Sequence, residues 1–282
     1  MMDLTSPAVV RDLIRRYGFS FTKSLGQNFI VSRKALDRML DIAGISQDTG
    51  VLEIGPGIGT LTRELSARAA RVAAVEIDRA LLPVLSETLA DCENVQVYCE
   101  DALKLNLPTF CRDALPCQRL AACANLPYYI TTPAVTMLLE SKLFSHITLL
   151  LQREAAQRLC ALPGENDYCA ASAIVRYYAE PKVLFRVSAD CFFPRPKVAS
   201  AVLSLAPVNR GLSREAEQMF FDVVRAAFAQ RRKTLQNALT SAALCDRDRA
   251  LACISSCGFR EDVRGEMLGT EDFIRLSKEL LN

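Results

Sequence analysis

Asn125-Leu126-Pro127-Tyr128 is the stretch of this 282-residue chain with the sharpest chemical content. An amine attached to an aromatic ring is a poor nucleophile, because its lone pair is delocalised into the ring. Two acceptors, the Asn125 side-chain oxygen and a carbonyl of Leu126 or Pro127, could take hydrogen bonds from its N–H groups. They would draw the nitrogen towards sp³ geometry and aim its lone pair at an electrophile. Pro127 stiffens the loop, and Tyr128 offers a face on which a base can stack. No covalent intermediate and no strong base are needed; proximity and orientation can supply up to ~7–11 kcal/mol. The plain structural alternative is a turn with a buried tyrosine. A cysteine-nucleophile route through Pro116-Cys117 is set aside, because that dipeptide precedes the strand that ends at the motif; Cys117 reads as structural.

A second stretch, Glu53-Ile54-Gly55-Pro56-Gly57-Ile58-Gly59, leaves an apolar strand and enters a turn with glycine at every second position. A helix follows, with Thr60 as its expected N-cap. Gly55 and Gly57 permit positive φ and let backbone N–H groups approach a ligand, and the helix start favours an electron-rich group. The pattern is neither G-x-G-x-x-G nor a P-loop. Glu76 adds to it: it ends the next strand, Arg71–Ile77, about twenty residues past the loop, where a ribose-binding carboxylate sits in a doubly wound sheet. The bland reading is a tight strand-to-helix turn plus a capping acid; the pair together points to a cofactor site.

The elements that must position these residues alternate. Continuous apolar runs predict strands at 51–54, 72–77, 95–99, 120–124 and 146–151, with helices at 60–69, 79–90 and 133–143 between them. Glu53, Glu76, Asp101 and Asn125 then fall at carboxyl ends of strands, the rim where a parallel sheet binds ligands. A strand pair at 181–187 and 200–205 would close the sheet with an antiparallel edge. Asn209-Arg210-Gly211 marks a boundary, and only helices are predicted beyond it. The expected architecture is α/β, a doubly wound, mostly parallel sheet over residues 1–208, plus a small all-α domain over 209–282.

Composition narrows the partners. Half the residues are apolar, no run is long enough for a membrane span, and no signal-peptide core is present. The 11 cysteines are scattered without a C-x-x-C, and His146 is the lone histidine, which argues against a metal centre and for reduced thiols in a cytoplasm. Net charge is only +2, yet Arg11, Arg15, Arg16, Lys23, Arg33, Lys34 and Arg38 crowd the N-terminal segment, and Arg225, Arg231, Arg232 and Lys233 fall together later. Such patches on a near-neutral chain predict a directed anionic partner.

Asn125-Leu126-Pro127-Tyr128 together with Glu53-Ile54-Gly55-Pro56-Gly57 resembles the S-adenosylmethionine-dependent rRNA adenine N6-dimethyltransferases. The resemblance extends to Gly26-Gln27-Asn28-Phe29, to Phe192-Phe193-Pro194-Arg195-Pro196-Lys197-Val198, to Ala227–Leu235 and to Cys257-Gly258-Phe259-Arg260 with Asp272-Phe273, nearly the whole chain. The last two elements favour the bacterial small-subunit branch over the large-subunit methylases. The resemblance implies a Rossmann-like class I methyltransferase fold, S-adenosyl-L-methionine as cofactor, and two methyls placed on each of two adjacent adenines near the 3′ end of 16S rRNA. It implies cofactor contacts at Asn28, Ile30, Gly55, Glu76, Asp101 and Asn125, with Glu76 on the ribose, Asp101 on the adenine amine and Gly55 beside the methionine part. Phe192 would be a second wall for the target base, opposite Tyr128. RNA contacts are expected from Lys23, Arg195, Lys197, Arg231, Arg232 and Lys233, in a monomer that uses no metal and no membrane. The alternatives are a large-subunit (23S) adenine methylase and a non-catalytic ribosome-assembly or transcription factor on the same fold. Ala199, Gly265 and Gly269 depart from the family pattern, the last two at positions expected to touch the surface.

Overall fold

A computed structural model describes residues 2–19, 21, 26–230 and 232–282. The chain divides into two compact units, Met1–Ala156 with Pro181–Pro207, and Gln157–Glu180 with Val208–Asn282.

The first unit begins with helix α1 (Pro7–Tyr17), started by proline in its first turn and stopped by Gly18 in the left-handed region. Strand β1 (Phe29–Ile30) and helix α2 (Arg33–Ile42) follow, and the Ser32 side chain accepts from Ala35 N–H to cap α2. Then come β2 (Thr49–Ile54), α3 (Thr60–Ser66), β3 (Arg71–Glu76), α4 (Leu82–Thr88), β4 (Val95–Cys99), α5 (Leu107–Ala114), β5 (Arg119–Asn125), α6 (Thr131–Glu140) and β6 (His146–Gln152). Helix α7 (Arg153–Cys160) carries the chain out of this unit, and α8 (Ala170–Tyr178) lies in the other. Strands β7 (Ala179–Val187), β8 (Phe192–Phe193) and β9 (Ser200–Pro207) complete the sheets.

Seven strands are ordered β4-β3-β2-β5-β6-β9-β7, parallel from β4 to β6 and antiparallel where β9 joins β6. The chain builds outward from β2 to β4 and then returns to the other side of β2 with β5. That reversal is the topological switch point, where a crevice opens beyond the carboxyl ends. Strand β2 is buried along its whole length, because helices cover both faces; Val51, Leu52 and Ile54 each stabilise the fold by roughly 1.5–3 kcal/mol. A two-stranded antiparallel ribbon pairs Phe29 with Phe193 and Ile30 with Phe192. It ties the N-terminal segment to the loop before β9, an arrangement the sequence reading does not contain. The predicted cap of α3 also differs. Gly59, at φ +87°, is the N-cap, and Thr60 is the first helical residue, buried with its hydroxyl unpartnered among the described residues.

The second unit is helical: α8 with α9 (Arg214–Ala229), α10 (Leu235–Ser241), α11 (Arg247–Ser256) and α12 (Thr270–Leu281). A single boundary at 209 therefore misses the segment Gln157–Glu180, which groups with the C-terminal helices. The reason is aromatic packing. Tyr177 stacks on Phe220 at 4.5 Å, Tyr178 stacks on Phe221 at 5.6 Å, and the buried Tyr168 donates to the Leu268 carbonyl at 2.8 Å. Gly265 is buried rather than superficial: a Cβ there would lie 2.6 Å from the Ala227 Cβ. Its departure from the family pattern serves the close approach of a 3₁₀ turn to α9. Gly269 is partly exposed, and its N–H donates to Asp272 Oδ2 at 2.9 Å at the start of α12.

No helix among the described residues is long and apolar enough to cross a membrane, and no cluster of three His, Cys, Asp or Glu residues among them could hold a metal ion.

Candidate active site

At the switch point a cavity holds about 1040 Å³ of space, its open mouth included. The glycine turn after β2, Glu76 at the end of β3, Asp101 after β4 and the Asn125–Tyr129 loop after β5 all line it. Gly26–Ile30 of the N-terminal segment forms the remaining wall. The glycine turn and the asparagine motif therefore open onto one space.

On the side of the turn, polar groups are fixed by nearby backbone. Glu76 is almost fully buried, and its two oxygens accept from the N–H of Gly57 at 3.2 Å and of Asp78 at 2.9 Å. Burial pushes its carboxyl up to about 6, against the pull of those donors. Asp101 caps the short turn Ala102–Lys104 by accepting from Leu103 N–H at 3.1 Å, which leaves its second oxygen towards the exposed Lys104. Gly57 has φ +62°, and a Cβ there would stand 2.8 Å from the Phe29 ring. No other residue type fits between the turn and β1 without displacing that ring. Glu53, one strand from Glu76, is 1% exposed and also lines the cavity.

Long-range contacts hold the other side. Leu126 N–H donates to the Leu150 carbonyl at 2.9 Å, extending the β5–β6 ladder one residue past the strand. Asn125 Nδ2 donates to the Asn28 carbonyl at 2.9 Å, and Asn28 Nδ2 donates to the Gly26 carbonyl at 2.9 Å. A carbonyl can only accept, so the Asn125 amide must turn its nitrogen towards Asn28, and its oxygen remains as an acceptor on a residue that lines the cavity. The Pro127 carbonyl already accepts from Ile130 N–H at 3.2 Å, which favours the Leu126 carbonyl as the second acceptor. Tyr128 lines the cavity, and its hydroxyl pairs with the buried Ser200 hydroxyl at 2.9 Å. Burial raises its ionisation.

Asn28, Ile30, Gly55, Gly57, Glu76, Asp101, Asn125, Leu126, Pro127 and Tyr128 thus share one cavity. Phe192 does not join them. At 3% exposure it packs with Ile30, Leu36, Val187 and Val202 in the core and does not line the space, so its expected place opposite Tyr128 is not observed. The β1–β8 pairing is the cause, since it turns Phe192 inward beside Ile30. Arg195 and Lys197 are exposed in the first unit, Arg195 in an ion pair with Asp190 at 3.0 Å. Arg232 and Lys233 are exposed in the second unit. Lys23 and Arg231 lie outside the described residues.

Several lining residues have little signal in the sequence. Ile77, Leu103 and Tyr129 are large apolar side chains left exposed at the mouth, Tyr129 at 51%. Burial raises the Tyr129 phenol, and the charges of Asp101 and Glu76 raise it further. Gln27 Nε2 donates to Asp78 Oδ2 at 2.7 Å and ties the N-terminal wall to the loop after β3. The Tyr-Tyr doublet at 128–129 is the one local signal of this edge of the cavity.

A family model described as ribosomal RNA adenine dimethylase matches residues 18–281. The chain is 40% identical over 280 residues to the ribosomal RNA small subunit methyltransferase A of Alkaliphilus oremlandii, covering 98% of each. It is 42% identical over 287 residues to the protein of the same name from Geobacillus thermodenitrificans, covering 99% of this chain and 97% of that one. Among solved structures, a dimethyladenosine transferase from Plasmodium falciparum aligns with TM-score 0.76 at 25% identity, over 88% of this chain and 95% of that one. The 23S rRNA methyltransferase ErmE aligns with TM-score 0.70 at 28% identity, over 90% and 100%.

Proposed function

Because the chain belongs to the ribosomal RNA adenine dimethylase family, we propose that it transfers methyl groups to the exocyclic N6 of two adjacent adenines near the 3′ end of 16S rRNA in the small ribosomal subunit, two to each. The observation that carries this reading is the setting of Asn125: it lines the same cavity as the glycine turn, and its nitrogen is tied to the Asn28 carbonyl, which leaves its oxygen as the acceptor.

The residues present fit S-adenosylmethionine. The turn at Gly57 leaves no space for a Cβ, Glu76 is fixed for hydroxyl groups, Asp101 stands at the mouth, and a buried carboxyl oxygen of Glu53 has no partner among the described residues. When bound, this cofactor supplies an electrophilic methyl on a sulfonium. The chain's own groups do the rest. Asn125 Oδ1 and the Leu126 carbonyl accept from the two N–H bonds of the adenine amine before the first transfer, and one of them from the single N–H that remains before the second, and withdraw its lone pair from the ring. Tyr128, braced by Ser200, holds the base by its face. As the methyl transfers, the amine becomes cationic, and both oxygens stabilise that charge where it develops. The excess proton leaves to solvent, so no strong base is required.

An adenine must leave its stack to enter, at a cost of a few kcal/mol, which single-stranded RNA makes bearable. Arg195, Lys197, Arg232 and Lys233, with Lys23 and Arg231, are the groups we assign to phosphate, so RNA binding should weaken steeply with salt. We read Gln157–Glu180 with Val208–Asn282 as a helical unit that serves ribosome recognition. The small subunit is preferred over the large because the relatives near 40% identity carry small-subunit names. The test is incubation with labelled S-adenosylmethionine and unmethylated small subunits, followed by mapping of the modified nucleotides. Label on two adjacent 16S adenines is expected. Label confined to large-subunit RNA, or none under conditions where the subunit binds, would overturn the assignment.

A further inference from the structure

Glu53 and Glu76 face the same cavity but are held in opposite ways. Glu76 accepts two backbone N–H bonds, which suit a carboxylate. Glu53 is 1% exposed, and its Oε2 has no hydrogen-bond partner among the described residues. The groups that face it are few. Thr62 on α3 lies near enough to favour the ionised form, yet its own Oγ1 has no hydrogen-bond partner among the described residues either. Glu76 on β3 repels a charge on Glu53, and the Cys123 thiol on β5, kept neutral by burial, offers no compensating charge. No cation among the described residues contributes to stabilising it. A carboxylate cannot be kept in such a place at neutral pH without a positive partner.

Resting on the reading of this cavity as the S-adenosylmethionine site, we propose that Glu53 is a positioning residue that exchanges a proton with the donor's charge: neutral in the empty cavity, ionised when a cationic sulfonium is bound. The proton on the Glu53 carboxyl passes to bulk buffer, and the sulfonium compensates the carboxylate left behind. After transfer the product is a neutral thioether, the compensation is gone, and the carboxyl takes a proton back from solvent. Glu53 thereby distinguishes spent from charged donor by electrostatics alone. Burial pushes its ionisation up to about 8, which agrees with a neutral group at pH 7 in the empty site.

The experiment is calorimetric titration of the full-length protein at pH 7 with S-adenosylmethionine and, separately, S-adenosylhomocysteine, in buffers of different ionisation enthalpy. For the wild type we expect release of close to one proton per S-adenosylmethionine bound and clearly less for S-adenosylhomocysteine. In Glu53→Gln that release should fall by most of a proton, and affinity for S-adenosylmethionine should drop roughly tenfold or more with S-adenosylhomocysteine nearly unchanged. Equal proton release from wild type and variant, or none from the wild type, overturns the proposal while leaving the cofactor reading intact. Failure of the wild type to bind either compound overturns the cofactor reading itself. An infrared difference spectrum of the wild type covers the case of a variant that does not fold: the protonated-carboxyl band should disappear on adding S-adenosylmethionine and persist with S-adenosylhomocysteine. Its persistence with both contradicts the exchange.

Discussion

The two sides of the cavity are built on different principles. On the side of the glycine turn, Glu76 and Asp101 are held by the backbone of residues two positions on, and by a neighbouring turn. On the side of the asparagine motif, Asn125 is held by Asn28, 97 residues away, and Tyr128 by Ser200, 72 residues away. The carboxylates on the side we assign to the cofactor are set by nearby backbone. The acceptor side exists only when the N-terminal segment, β5 and β9 have come together. The part of an active site that must discriminate a base is the part whose geometry the whole unit decides.

That contrast can be broken by substitution. The largest effect is expected for Asn125→Ala, which removes one of two aligned acceptors and should slow single-turnover transfer about 10²–10³-fold, by analogy with loss of one transition-state hydrogen bond. Folding, checked by circular dichroism, should be unchanged. Glu76→Ala should act on the opposite side. Losing hydrogen bonds to a charged group costs roughly 1.5–3 kcal/mol, so cofactor affinity by calorimetry should fall about 10–100-fold. The rate at saturating cofactor should change less.

A third prediction concerns pH. The folded value of Glu53, about 8, lies above its ordinary 4.5. The stability it contributes is therefore complete below about 4.5 and is lost as pH rises through about 8. Glu53→Gln should flatten the fall in melting temperature over that window and leave the variant the more stable protein at its alkaline end. A wild-type curve without that fall would contradict the neutral buried carboxyl. The smallest effect is expected from Ser200→Ala, which frees the Tyr128 hydroxyl. It should lower transfer up to about tenfold, the worth of one neutral hydrogen bond, with cofactor affinity unchanged. An equal loss on both sides would dissolve the distinction between them.

The same contrast explains what can be read from the chain. Strands β2 to β6 are legible within about two residues, because a parallel strand covered on both faces must be a continuous apolar run. Glu76 and Asp101 are legible because their positions at strand ends follow from those runs. The ribbon of Phe29–Ile30 with Phe192–Phe193 leaves no local pattern: each strand has two residues, and the partners lie far apart in sequence. Missing it places Phe192 at the target base instead of in the core. Helix α5 is short and amphipathic, and an asparagine caps it after a loop, so it does not stand out between two strands. Segment Gln157–Glu180 groups with the later helices through tyrosines whose partners, Phe220, Phe221 and Leu268, appear only after the sheet is complete.

The central claim is that Asn125 Oδ1 and the Leu126 carbonyl together receive the adenine amine. A crystal structure of the protein with S-adenosylhomocysteine and adenosine tests it most directly. The account predicts N6 within hydrogen-bond distance of both oxygens, with Asn125 Nδ2 still on the Asn28 carbonyl. An adenine bound in the cavity with N6 turned away from both oxygens, or an Asn125 amide turned over to present its nitrogen, would contradict it.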